Sequence, residues 1–298
     1  MKSANAERAI PGAAREVYDV PHATPWGKMI ASYLWTKSIS AGVLLLSALF
    51  LNMGFEQDAV LLNMISPALS LLFLGATMML LVLDLKKPAR FVFLLTKPNM
   101  NSWLVLGGYV LMTFGLLLGV WLFQLYSQGR VSPWVIWPAA LFAIASAGYS
   151  AFLFAQARGR DFWQSPMLFW HLLVKAVLIG SLELVTPYQF ASPQLLAWLI
   201  NILNVSLLAS AAIIFGELFM KHGAEDAVRA GELLLRGPLS KSFWLLAIGL
   251  GVVLPVGIIF LPIGSLIPLY IVAPVLALFG LWMYDHLWIK AGQAMPLS

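Results

Sequence analysis

The chain contains no cysteine. That absence excludes disulfides, thioether-linked haem and any iron–sulfur cluster ligated by this polypeptide, since each needs thiolate sulfur. Charge is scarce too: 10% of the 298 residues are Asp, Glu, Lys or Arg, against ~25% in soluble domains. Histidine occurs only at His22, His171, His222 and His286, with no obvious pair at mid-depth of a membrane, so bis-histidine haem is not expected. No glycine-rich phosphate loop, nucleophile triad, pair of catalytic carboxylates or metal-ligand cluster stands out. The formal net charge is +5, but the cations do not gather into the single basic face that nucleic acid requires.

What is abundant is apolar sequence. Eight stretches fill the chain, at 29–51, 61–83, 102–124, 134–156, 167–186, 194–219, 242–261 and 264–288. Each is near the ~20 residues that cross ~30 Å of hydrocarbon as a helix. Backbone groups find no water at that depth, so helices are the economical state. The expected fold is an all-α integral membrane protein of eight transmembrane helices, with an N-terminal arm (1–28) and a short tail (289–298) outside them. The arm has no apolar core before the first full span and does not read as a secretory signal.

Charges between the stretches are sorted by side. Lys2, Arg8, Arg15 and Lys28 precede the first span; Lys86, Lys87, Arg90 and Lys97 follow the second; Arg158 and Arg160 follow the fourth. Lys221, Arg229, Arg236 and Lys241 follow the sixth, and Lys290 follows the last, while the opposite side has Arg130 alone. The positive-inside rule then predicts cytoplasmic termini in a cell inner membrane. Within the connection after the sixth span, AEDAVRAGELLLRG sets leucines against charges and reads as a short interfacial helix ended at Gly237. Pro67, Pro255, Pro268 and Pro274 fall inside spans, where kinks are expected.

Ionisable residues at bilayer depth cost ~2.5–3.5 kcal/mol on insertion scales and are functional candidates by default. Lys37 lies about two turns into the first span. It either snorkels to the interface or handles protons beside a carboxylate such as Asp84 or Glu217. His171, Lys175 and Glu183 follow one another at i, i+4 and i+12 on the fifth span. That stripe suits a proton relay, or else a hydrogen-bonded seam that only orders the bundle. Glu217, near the end of the sixth span, is a further proton-transfer candidate or a headgroup-level residue.

Several segments resemble one family. DLKKPARFVFLLTKPNMNSWLVLGG (Asp84–Gly108), YLWTKSISAG in the first span, AGYSAFLFAQARGRDFWQSP, GPLSKSFWLLAIGLGVVLPV and the terminal AGQAMPLS together look like the membrane anchors of polysulfide reductase and formate-dependent nitrite reductase, the NrfD-type subunits. The resemblance runs from about Trp26 to Ser298. It implies two adjacent four-helix bundles, here about 29–156 and 167–288, with a quinone (menaquinone or ubiquinone) in the first. It also implies no haem, an iron–sulfur partner docked near the start of the first helix, and a molybdopterin catalytic subunit beside it. Carried over by position, Tyr33 stands where the family places a polar quinone contact, often histidine, and Tyr149 where it places a tyrosine; Lys37, from its charge within the first span, is the third expected quinone-binding residue. Asp84, His171, Lys175, Glu183 and Glu217 are the expected proton-transfer residues, and Arg90, Arg158 and Arg160 the expected docking residues. Because the docking face carries the loop cations, the partner is expected on the cytoplasmic side.

The function expected from this is a quinone-reactive anchor that exchanges electrons between an iron–sulfur subunit and the quinone pool, with or without proton translocation. Two alternatives remain. A secondary transporter predicts broken helices and inverted repeats around a midplane site. A passive anchor predicts lipid contact and no quinone chemistry.

Overall fold

The structure is a computed structural model that describes residues 26–85, 91–219, 225–260 and 272–295. The N-terminal arm up to residue 25, Lys86, Lys87, Arg90, Lys221, His222 and Pro268 lie outside the described residues. Among those described, regular structure is helical throughout, with no strand. The helices are α1 (Lys28–Asn52), α2 (Val60–Leu83), α3 (Phe91–Thr96), α4 (Trp103–Gln128) and α5 (Pro133–Ala155). They continue as α6 (Leu168–Val185), α7 (Pro193–Phe219), α8 (Glu225–Leu235), α9 (Ser240–Ile258) and α10 (Ala273–Ala294). Seven of them (α1, α2, α4, α5, α6, α7 and α9) are long and apolar enough to cross a membrane. The expected last span, 264–288, overlaps α10 only from Ala273 on; α10 carries Asp285, His286 and Lys290 among its apolar residues and is not among the seven.

Helix α1 is the axis of the molecule. It packs on α2, α5, α6 and α10 and is buried along most of its length. Hydroxyls zip it to α2. Ser40 and Ser70 each donate to the other's carbonyl at 2.8 Å, Thr77 donates to Thr36 at 2.9 Å, and Ser47 donates to the Leu62 carbonyl at 2.8 Å. Such bonds hold helices together where lipid offers no hydrophobic drive to association. Against α6 the contact is backbone to backbone. A methyl group at Gly42 would sit 1.8 Å from the Ala176 carbonyl oxygen.

Two of the span prolines, Pro67 and Pro255, sit just after widened turns. The ring of Pro67 removes its own N–H and crowds the carbonyl four residues back. Helix α2 opens with widened π turns at Val60–Ile65, and the Asn63 carbonyl accepts the Trp121 indole N–H at 3.3 Å. Pro255 likewise follows a π stretch at Phe243–Val253, where Gly251 lies against Gly280.

Helix α10 runs past the expected boundary at 288, to Ala294. The apolar run ends there, but tertiary contacts carry the helix on. Arg160 donates to the carbonyls of Gly292, Gln293 and Met295 at 3.2, 2.9 and 2.9 Å, satisfying a helix end that would otherwise lack donors. Gly292 admits the Trp163 indole, which a methyl group would meet at 2.1 Å. Trp26 stacks on Trp163 at 4.8 Å, and its backbone N–H donates to Gln293 at 2.9 Å. The start of α1, the α5–α6 connection and the end of α10 thus form one face. On the opposite face Asp58 accepts from the Ser192 backbone N–H at 2.6 Å and its hydroxyl at 2.8 Å, tying the α1–α2 and α6–α7 connections.

Candidate functional site

The first helix delivers Tyr33 and Lys37 one turn apart, so both point to one side. Helix α5 returns beside it and presents Ala147, Tyr149 and Ser150. All four side chains and the Ala147 carbonyl meet. Tyr33 and Tyr149 are hydrogen-bonded hydroxyl to hydroxyl, and Tyr33 also reaches Ser150 Oγ at 3.2 Å. Lys37 Nζ donates to Ser150 Oγ and, at 3.2 Å, to the Ala147 carbonyl. It stands over both rings, 4.5 Å from the Tyr149 centroid and 5.4 Å from that of Tyr33. Lys37 is wholly buried, and both tyrosines nearly so. The lysine does not snorkel.

Hydrogen-bond direction follows from which groups can accept. An ammonium only donates, so Ser150 accepts from Lys37 and keeps its own O–H to give to Tyr33. Tyr33 then donates to Tyr149. The chain ends on the Tyr149 O–H, a phenolic proton left for an acceptor outside this set. One turn before Tyr149, Ser146 Oγ is buried without a hydrogen-bond partner among the described residues. The site therefore offers two phenols, an ammonium and a spare hydroxyl. Gly107 of α4 makes room for the Tyr149 ring: the ring lies on its backbone, and a methyl group there would come within 2.1 Å of Cε2.

The family model described as "Polysulphide reductase, NrfD" matches residues 16–296. The chain belongs to the NrfD family. Its members are generally quinone-interacting membrane anchors of oxidoreductases, typically paired with iron–sulfur subunits. A search of curated proteins finds no match. In this NrfD protein Tyr33 and Tyr149, expected from the resemblance to meet the quinone, and Lys37, singled out by its charge within a span, stand together. The geometry adds Ser150, Ala147 and Gly107, which have no charge or rare side chain to draw attention in the sequence.

The other sequence candidates fall elsewhere. The expected pairing of Lys37 with Asp84 or Glu217 does not occur; its hydrogen bonds go to α5 because the two helices cross at that depth. Asp84 sits half-buried just past the end of α2, and that burial raises its carboxyl above the usual carboxylate range. On α6, Lys175 is fully buried and donates to Asp285 of α10 at 2.6 Å. Asp285 was the acid to look for: a carboxylate within an apolar run carries the same warning as Glu217 or Lys175. His171 stacks on Tyr284 at 5.1 Å, with both ring nitrogens lacking a hydrogen-bond partner among the described residues. Glu183 is half-buried near the far end of α6. Glu217 is buried at the end of α7. Ser165 and Trp288 lie beside its carboxyl, in polar reach but outside hydrogen-bond geometry.

Of the docking candidates described, Arg158 is exposed. Arg160 is largely buried, its guanidinium committed to the end of α10 and lying 5.8 Å from the Trp163 ring; burial lowers its pKa. No group of three or more potential metal ligands occurs among the described residues.

Proposed function

We infer that this NrfD protein is the quinone-reactive membrane anchor of a multi-subunit oxidoreductase. It exchanges electrons between a docked iron–sulfur subunit, with a molybdopterin catalytic subunit beyond it, and a menaquinone or ubiquinone pool. The observation that carries this reading is the buried cluster of Tyr33, Lys37, Tyr149 and Ser150 at the α1–α5 crossing. A bound quinone supplies two-electron, two-proton chemistry. The protein's part is to bind and orient the headgroup and to manage protons at its oxygens. The Tyr149 O–H donates to one oxygen. Lys37, which stands over the Tyr33 and Tyr149 rings, would stabilise negative charge that builds on that oxygen. Ser150 passes a proton between Lys37 and Tyr33. Asp84, His171, Lys175, Glu183 and Glu217 are the groups that hold and move protons between this site and either side of the membrane.

In this reading α10 is the eighth span and the helices form two adjacent four-helix bundles in the inner membrane, with both termini cytoplasmic. The contact of Trp26 with Gln293 supports it, because an even number of crossings returns the chain to its starting side. The partner docks on that same side, around the starts of α1 and α4, Arg90 and the exposed Arg158.

The test is gentle detergent extraction of a tagged chain, mass spectrometry of co-purified proteins and organic extraction of quinone. Iron–sulfur and molybdopterin subunits with quinone near one per complex are the expected result. A lone, quinone-free chain, from membranes shown to contain quinone, would overturn the proposal. External protease acting on a terminal tag in spheroplasts would overturn the orientation.

A further inference from the structure

Helix α8 stands where the chain turns between two apolar spans, α7 and α9, and so lies at a membrane boundary. Its Ala227, Ala230 and Leu234 are buried against the protein, while Glu225, Arg229, Glu232 and Arg236 are exposed. Between those two faces runs a flank of Val228, Gly231 and Leu235, spaced i, i+3 and i+7. With Leu218 and Phe219 at the end of α7, that flank walls a groove of about 260 Å³, which Glu232 and Arg236 also line. The groove thus joins apolar walls to one charge of each sign. The two charges are a turn apart, yet none of the ion pairs among the described residues includes either of them. The pairs on this helix join Arg229 to Glu225 and Asp226, at 3.5 and 3.6 Å. Beside the groove a row of aromatic rings follows α7 back into its span. Phe219 stacks on Phe215 with centroids 6.4 Å apart, Phe215 on Trp244 at 6.1 Å, and the Trp244 indole donates to the Leu235 carbonyl at 3.1 Å.

We propose that this groove binds one zwitterionic phospholipid of the phosphatidylethanolamine type, with its phosphate on Arg236, its ammonium on Glu232 and an acyl chain along Phe219, Phe215 and Trp244. A guanidinium presents a fork of donors that matches phosphate oxygens. The carboxylate beside it accepts from an ammonium, which a choline headgroup, lacking N–H, does not supply. An anionic headgroup without an ammonium would set its charge against Glu232. A soluble zwitterion would leave the apolar walls uncovered, whereas an acyl chain covers them at the depth where aromatic side chains gather. The proposal stands on the membrane spans and not on the quinone reading.

The test uses the full chain with the subunits that co-purify, washed free of native lipid in detergent. It is offered equal amounts of dioleoyl phosphatidylethanolamine and dioleoyl phosphatidylglycerol, and native mass spectrometry counts what stays bound. The ethanolamine lipid should be retained, one per chain, in preference to the glycerol lipid. Arg236→Gln should weaken its binding on the order of tenfold, the loss of one hydrogen bond to a charged group. Glu232→Gln should erase the preference while both lipids still bind. Arg229→Gln, outside the groove, should change neither result. All three side chains are exposed, so the substitutions are expected to leave the fold intact. A wild type that retains no lipid or prefers the glycerol lipid would overturn the proposal, as would an Arg236→Gln variant that binds as wild type does. A crosslinker at position 236 that captures a subunit rather than lipid would assign the groove to a protein partner and overturn it as well.

Discussion

The ring of Tyr149 lies directly on the backbone of Gly107, close enough that a single methyl group would strike Cε2 at 2.1 Å. Helix α4 thereby fixes the plane of a phenol whose hydroxyl ends the hydrogen-bond chain from Lys37. Gly107→Ala must push the ring aside. Misplacing a reacting group by ~1 Å costs ~100-fold in rate, and quinol-dependent turnover should fall on that scale while the subunits still co-purify. Turnover within twofold of wild type would show that the ring position does not matter to the chemistry.

Tyr149→Phe removes the terminal O–H and keeps the ring. A proton donor at a reacting oxygen contributes ~100-fold or more, whereas one neutral hydrogen bond contributes only about 1 kcal/mol to stability. Turnover should therefore collapse with little change in thermal midpoint or in yield of complex. A parallel loss of assembly would reassign Tyr149 to packing.

Lys175 and Asp285 form a buried ion pair, with side-chain exposures of 0% and 5%. Lys175→Met alone strands a carboxylate in the bundle, and breaking such a pair from one side costs about 3–5 kcal/mol. The single variant should unfold well below wild type on heating in detergent, and the neutral pair with Asp285→Asn should recover most of the loss. A single variant as stable as wild type would mean that water reaches Asp285.

The α1–α6 crossing offers a purely structural counterpart. Gly42 and Gly180 face each other with no room for a side chain. Gly42→Leu forces the helices apart, and overpacking of this kind costs about 1–3 kcal/mol or more. Thermal unfolding should show the loss, and it should be accompanied by weaker quinone retention because Lys37 lies on the same helix just over a turn away. A stable variant would show that the two helices can slide.

These effects were unequally legible in the sequence. Helical content and the seven apolar spans follow from composition and length, since lipid leaves the backbone no other solution. The family resemblance brought Tyr33 and Tyr149 forward, and the rarity of charge within a span brought Lys37. What brings them into one cluster is the α1–α5 crossing, which no periodicity reveals. Lys175 was visible as a charge in a span, but its partner lies 110 residues away on α10, and only the packed bundle shows which acid meets it. Gly107, Gly42 and Ser150 were invisible for a simpler reason. Their importance is spatial, and a glycine or serine in a membrane helix is too common to signal it.

Asp84 ties stability to pH. Its half-buried position just beyond α2 favours the neutral carboxyl, so its folded pKa stands above the unfolded value of about 4. Below that unfolded value the group is protonated in both states and its contribution is fully present. As pH rises through the raised folded value the buried charge must form, and the contribution is lost. Asp84→Asn never ionises. Its thermal midpoint relative to wild type should therefore climb as pH rises above about 4, provided the carboxyl is held by burial rather than by a cation. A midpoint difference that is flat across this range would show that water keeps the carboxylate solvated in the folded protein. A difference that falls with pH would reveal a cationic partner for Asp84.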